Sequence, residues 1–202
     1  MNKSWGDFYK EEKDFEFLVD NAKCHIPMFK SIFKENPKKL LEVGTGTGSM
    51  SVFLSYLGFE VTSLDNDKKV LEKARKHSDN FNGKVKFVFG DGFKMPFKNS
   101  SYDVSFHQGL LEHFSDEEIY KLLDEQLRVS EAVVLSVPNN RYPTKDFGNE
   151  RLLSKEEWDK MLSRKYKIIE SFEYNPFTKI ILGGRVIRKI YNTMFLAKVK
   201  KK

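Results

Sequence analysis

The sequence holds a single cysteine, Cys24, so no internal disulfide can form, and a cytoplasmic, reducing setting is expected. Nothing in the sequence gives that thiol a reactive setting, so it reads as inert and partly buried. No apolar run approaches the roughly 18 residues that a membrane span needs. Met1 to Lys13 is polar and lacks an apolar centre, which predicts no secretory signal. There is no internal repeat, and no low-complexity tract beyond Lys198-Val199-Lys200-Lys201-Lys202. No Gly-Lys-Ser/Thr follows a glycine loop, which excludes a phosphate-binding P-loop. There is no zinc-type Cys/His cluster and no RNA-binding module, and no metal is expected.

What is present suits one globular domain. The 202 residues are 40% apolar and 32% charged, with 18 phenylalanines to fill a core. The net charge of +6 is unevenly spread. From Arg164 to Lys202 eleven Lys/Arg stand against two Asp/Glu, so the rest of the chain is slightly acidic. A basic end of this kind reads as a solvated face, or as a contact for an acidic substrate, a membrane surface (through 185–202) or RNA.

The first 36 residues read as helix. Phe15, Leu18, Val19, Ala22 and Ile26 recur at helical spacing, and Pro27 kinks or breaks the run. This predicts a helical cap over 1–36 and a main unit over 37–202, compact as one domain. Strand and helix patterns then alternate. Strands are expected at 39–43, 60–64, 85–89, 102–106 and 132–137. Helices are expected at 49–57, 68–77 and 116–129, the last capped by Ser115, and another opens at Ser154 with Glu157 completing a capping box. This alternation predicts an α/β fold with a largely parallel sheet. Two more strands are expected, at 165–172 and 194–199. Between them, Ile187, Ile190, Tyr191 and Met194 fit a short basic amphipathic helix after Gly183-Gly184, or else a long strand from Ile180 onward.

The first strand runs straight into Gly44-Thr45-Gly46-Thr47-Gly48 and then a helix. Glycines let the backbone turn tightly and approach a ligand. In open α/β sheets ligands gather at the carboxyl ends of the strands. The dinucleotide fingerprint requires glycine at 49, where Ser49 stands. Glu42, two residues before the first glycine, sits poorly beside a pyrophosphate and suits a cationic ligand. The methionine part of S-adenosylmethionine carries an ammonium and a sulfonium. Asp65 ends the second strand, 21 residues after Gly44, where a carboxylate can bind a ribose diol. The alternative is that Asp65 merely caps the following helix, a role open to Asp67 or Asn66 as well. Asp91, in Gly90-Asp91-Gly92-Phe93, can accept from an adenine amino group, with the N–H of Gly92 or Phe93 serving a ring nitrogen.

Together these motifs resemble the class I S-adenosylmethionine-dependent methyltransferases, and among them the "methyltransferase domain 11" group. The matching residues are Leu41 to Gly48, Leu64-Asp65, Gly90-Asp91-Gly92 with Met95-Pro96-Phe97, and Tyr102-Asp103-Val104 leading to Gln108-Gly109-Leu110-Leu111-Glu112-His113-Phe114. The resemblance runs from about Lys38 to Asn139. It implies a Rossmann-like three-layer sandwich with a seven-stranded, mostly parallel sheet of order 3-2-1-4-5-7-6, the last strand antiparallel. It implies that Glu42, Gly44, Thr45, Gly46 and Gly48 hold the methionine end, Asp65 the ribose, Asp91 and Gly92 the adenine, and that Gln108 borders the sulfonium. The product would be S-adenosylhomocysteine. Asn66 departs from the family's usual apolar residue beside the adenine.

Methyl transfer from a sulfonium is an in-line displacement, so positioning supplies much of the catalysis, and a base is needed only if the acceptor must lose a proton. His113 and His107, near the end of the fourth strand, are the candidate bases, although His113 also suits plain packing at the turn. Trp5, Phe8 and Tyr9 form an aromatic cluster suited to a lid. Val137-Pro138-Asn139-Asn140 does not match the Asp/Asn-Pro-Pro-Tyr/Phe motif of N-methyltransferases. Arg141 and Arg151 are candidates to pair with an acidic acceptor, and 147–151 is expected over the substrate cleft. The leading expectation is methylation of a small-molecule or lipid-like acceptor. RNA methylation, a non-catalytic cofactor- or partner-binding protein on the same fold, and a nicotinamide dehydrogenase are the competing readings.

Overall fold

The computed structural model describes residues 5–9, 13–145, 147–181 and 187–202. Its centre is one seven-stranded sheet of order β3-β2-β1-β4-β5-β7-β6. The strands are β1 (Lys39–Val43), β2 (Glu60–Asp65), β3 (Val85–Phe89), β4 (Tyr102–Gln108), β5 (Ser130–Pro138), β6 (Tyr166–Ile181) and β7 (Ile187–Lys201). β1 pairs in parallel with both β2 and β4, and β7 pairs antiparallel with β5 and β6. The order therefore reverses between β1 and β4. At such a switch the two flanking loops part and leave a crevice at the carboxyl ends of the strands.

The helices are α1 (Trp5–Phe8), α2 (Phe15–Cys24), α3 (Ile26–Phe33), α4 (Ser49–Tyr56), α5 (Lys68–Asn80), α6 (Asp116–Val129) and α7 (Lys155–Ser163), with a 3₁₀ turn at Leu111–His113. Alternation along β5 separates the two faces of the sheet. Val133, Leu135 and Val137 pack with Leu123, Leu127 and Trp158 of α6 and α7. Val134 faces Met28, Phe29 and Ile32 of α3 and Leu54 of α4. The capping boxes Ser115/Glu118 and Ser154/Glu157 start α6 and α7, and Asp67 caps α5 by accepting from Lys69 and Val70.

The N-terminal run is broken at His25, and Pro27 sits in the first turn of α3, where its missing N–H costs nothing. Only Leu18 and Ala22 of the expected apolar face are buried; Phe15, Val19 and Ile26 are exposed. The expected basic helix after Gly183-Gly184 is absent from Ile187 onward, because those residues continue β7 in register with β6. Residues 182–186, which include both glycines, lie outside the described residues. β5 pairs with β7 only from Met194 to Val199, so the outer part of the β6–β7 hairpin is a two-stranded ribbon beyond the sheet.

Nor is the basic end simply a solvated face. Lys198 is 2% exposed, and its Nζ lies 2.9 Å from Glu35, 3.1 Å from Glu170 and 3.1 Å from the Ser31 carbonyl. Lys200 pairs with Glu35, and Lys202 donates to the Ser163 carbonyl. Lys198, Lys200 and Lys202 thus fasten β7 to Ser31 of α3, to Glu35 just beyond it and to the end of α7. No helix among the described residues is long and apolar enough to cross a membrane.

Candidate active site

A cavity of about 790 Å³ opens above the carboxyl ends of the strands, at the switch between β1 and β4. Its floor is the loop after β1. Gly44 and Gly46 have φ of 78° and 53°, which glycine alone adopts without strain. A Cβ on Gly46 would stand 3.1 Å from the Tyr9 hydroxyl, and one on Gly44 would press on Leu110. The floor is therefore backbone, open to close approach. Gly48 also has positive φ, but it caps α4 and faces Ala74 and Phe87. It shapes the loop from behind and does not touch the cavity, contrary to the binding role expected for it.

Glu42 lies beneath this loop, 4% exposed. One carboxyl oxygen accepts from Ser51 (2.5 Å) and Ser63 (2.9 Å). Burial raises its pKa to about 7 in spite of those two donors, and Asp65 adds to the rise. A carboxylate in this state lacks a cation. Asp65, at the end of β2, accepts from the N–H of Thr45 (2.9 Å) and of Asp67 (2.8 Å). It ties the glycine loop to β2 while still lining the cavity. Asn66, Asp91, Gly92 and Gln108 line it as well. Asp91 accepts from the N–H of Phe93 (2.9 Å), which removes that N–H as a donor for a ring nitrogen and leaves Gly92.

α1 closes one side. Lys73 donates to the carbonyls of Gly6 and Tyr9, and Asp67 accepts from the Gly6 N–H, so α5 holds α1 in place. Trp5 stacks on Phe147 at 4.1 Å and meets the His113 ring edge-on at 4.8 Å. Burial pushes the Tyr9 hydroxyl up to about 12, and the nearby carboxylates of Asp65, Glu112 and Glu42 push the same way. Phe147, Asn149 and Glu150 form part of the wall.

The two histidines diverge. His113 lines the cavity, and its Nδ1 lies 2.7 Å from Asn149 Oδ1. An amide oxygen only accepts, so Nδ1 carries a proton, and Nε2 is the ring nitrogen left facing away from Asn149. His107 is 0% exposed, does not reach the cavity and has no partner for either ring nitrogen. Burial lowers its pKa to about 3. It faces α6 from inside the sheet, and the role of base does not fit it. Arg141 pairs with Glu173 (2.7 Å), and Arg151 with Asp116 (2.5 Å), so neither is left for an acidic acceptor. Cys24 is exposed and lines the cavity, where a partly buried thiol was expected.

Glu112 received no role from the sequence, yet it is 3% exposed on the cavity wall, with Oε2 unpartnered. Burial raises its pKa to about 8, so it is mostly neutral at pH 7. An acid between two leucines and a histidine, in the turn after β4, was the available signal. His25 was also missed, because it comes from a segment without a motif, while Asn149 lies within the 147–151 segment expected over the cleft. Among the described residues no group of three or more His, Cys, Asp or Glu is arranged to hold a metal.

Residues 40–132 match the family described as methyltransferase domain. Over 65 residues the chain is 37% identical to the protein-L-isoaspartate O-methyltransferase of Xylella fastidiosa, covering 32% of this chain and 31% of that enzyme. The chain thus spans about a third of the length of that curated relative. The PH0226 protein of Pyrococcus horikoshii superposes with a TM-score of 0.72 at 16% identity, over 96% of this chain and 95% of the other. The magnesium protoporphyrin IX methyltransferase of Synechocystis, crystallised with bound SAH, superposes with a TM-score of 0.67 at 14% identity, over 98% and 93%. Residues 40–132 thus carry a methyltransferase domain, and the fold of the whole chain is shared with the Synechocystis methyltransferase.

Proposed function

We propose that the chain transfers the methyl group of S-adenosylmethionine to a small, largely apolar molecule held in the same cavity. The observation that carries this reading is Glu42, a buried carboxyl under a bare glycine loop, raised to about 7 by burial and with no cation among its hydrogen-bond partners. An ammonium above the loop supplies one, where a pyrophosphate would add like charge. Glu42 and the backbone of Gly44, Thr45 and Gly46 hold the methionine end. Asp65 takes the ribose hydroxyls, with Asn66 beside them. Asp91 and Gly92 take the adenine, and Gln108 borders the sulfonium. The bound cofactor supplies an activated methyl, so the protein's part is to position the acceptor and exclude water.

Trp5, Phe8 and Tyr9 serve as the lid, and residues 1–36 as the cap that carries it. Where the acceptor loses a proton, His113 takes it at Nε2, oriented through Asn149. A small acceptor fits a cavity walled by the N-terminal aromatics and Phe147 better than a folded RNA does. The internal pairing of Lys198, Lys200 and Lys202 takes support from the RNA reading.

The test supplies methyl-labelled S-adenosylmethionine with panels of phenolic, quinol, amine and carboxylic acceptors, and with total RNA. Label in an organic-soluble small product supports the proposal. Label in RNA alone refutes it, and cofactor binding with no transfer to any acceptor leaves the non-catalytic reading in its place.

A further inference from the structure

The wall of the cavity formed by α2 and the ends of β5, β6 and β7 has no part in the cofactor assignments above. His25 stands there, at the α2–α3 junction, 6% exposed and lining the cavity. Its Nδ1 lies 2.8 Å from the Tyr174 hydroxyl on β6, which lies 2.6 Å from Ser136 Oγ on β5. The three groups form a buried chain across residues far apart in sequence.

The Tyr174 hydroxyl has one proton and two partners, so the chain runs in one of two directions. Ser136 is 0% exposed, and among the described residues its hydroxyl has no other hydrogen-bond partner. If the histidine donated toward the serine, the Ser136 proton would be buried without an acceptor, a costly arrangement. The opposite direction leaves no orphan: Ser136 donates to Tyr174, Tyr174 donates to His25 Nδ1, and the imidazole proton rests on Nε2.

Resting on the methyltransferase reading, we infer that His25 is a specificity-determining residue that offers its Nε2–H to the acceptor and holds a neutral oxygen, a carbonyl or a hydroxyl. Burial lowers the His25 pKa to about 4, so the ring is an uncharged donor at neutral pH. The surroundings agree. Among the described residues lining the cavity none is Lys or Arg, while Asp20, Glu42, Asp65, Glu112 and Glu150 are all present. A carboxylate or phosphate acceptor would enter this field unpaired. Phe17, Tyr142 and Met194 on the same wall suit an apolar body around the polar oxygen.

The test uses the full chain saturated with S-adenosylhomocysteine, so that loss of the cofactor site is seen separately from loss of the acceptor site. Long-range ¹H–¹⁵N spectra of the histidine rings read the tautomer directly. The inference requires His25 to be the Nε2–H form, and an Nδ1–H form overturns it. Calorimetry then compares 4-hydroxyacetophenone, benzoate and benzylamine as neutral, anionic and cationic probes. Expected are measurable binding of the ketone and a loss of about tenfold or more in His25→Phe. Expected also are partial recovery in His25→Gln, which restores an N–H donor, and unchanged affinity for S-adenosylhomocysteine in both variants. Preferential binding of benzylamine or benzoate, no binding of the ketone, or equal ketone binding in His25→Phe overturns it. If S-adenosylhomocysteine itself does not bind to the wild type, the methyltransferase reading fails first.

Discussion

Replacing Glu42 with glutamine should separate stability from binding. In the protein without cofactor the Glu42 carboxyl titrates near 7 rather than at its ordinary 4.5, chiefly because it is buried. The folded state therefore holds this proton more tightly than the unfolded chain does. Stability from that group is fully present below about pH 4.5, falls as the pH rises through about 7, and is flat above. The gap of about two and a half pH units corresponds to roughly 3 kcal/mol. Glu42→Gln keeps an acceptor for Ser51 and Ser63 without the charge, so at pH 8 the variant should be more stable, by up to about 3 kcal/mol, or several degrees in Tm.

The same change should weaken S-adenosylhomocysteine, because a buried charge-assisted bond to the ammonium contributes about 1.5–3 kcal/mol. In the wild type, binding needs the ionised carboxylate. Affinity should fall about tenfold per pH unit below 7, and at pH 7 binding should release about half a proton. Calorimetry in two buffers of different ionisation enthalpy reads that proton. Glu112 titrates nearby, at about 8, so Glu112→Gln is the control that should still release it. A wild-type affinity that is flat between pH 6 and 8, or a Glu42→Gln variant that binds as tightly as the wild type, would refute the reasoning.

Asp65→Ala removes the acceptor for the Thr45 and Asp67 N–H groups, so it should cost about 1–3 kcal/mol of stability as well as cofactor affinity; thermal melts beside calorimetry separate the two. Lys198→Ala leaves Glu35 and Glu170 facing each other without their shared cation and should cost about 3–5 kcal/mol in urea unfolding. Burial works to raise the Glu170 pKa, but bonds from Lys34, Ser31 and Lys198 outweigh it and hold the carboxylate at about 2. Its contribution is present above about pH 4.5 and is lost as the pH falls toward 2, so acid unfolding of Glu170→Gln should lose part of that dependence. Trp5→Ala removes the stack on Phe147 and the contact with His113, each of order 1 kcal/mol, and should speed release of S-adenosylhomocysteine several-fold in stopped-flow traces.

The alternation of strands and helices was legible because it rests on local signals, while the sheet order came with the resemblance to the methyltransferases. A strand ending in Gly44-Thr45-Gly46 and another ending in Asp65 meet the cavity wherever a parallel sheet forms. What failed depended on contacts between distant segments. Gly48 and His107 sit beside the right motifs, but the register of the loop and of β4 turns them to the far side. In the β6–β7 ribbon, Ile187, Ile190, Tyr191 and Met194 continue one strand in register with β6, and their spacing along the sequence imitates one helix face. Arg141 and Arg151 read as free because Glu173 and Asp116, which neutralise them, lie more than 30 residues away. His25 and Glu112 carry no signature of their own, and their chemistry arises from burial.

The most direct test is calorimetric titration of the purified wild type, near neutral pH, with S-adenosylhomocysteine and, separately, with NAD. One S-adenosylhomocysteine should bind per chain, more weakly in Glu42→Gln and in Asp65→Ala, and NAD should not bind. Saturable binding of NAD without binding of S-adenosylhomocysteine would contradict the methyltransferase reading.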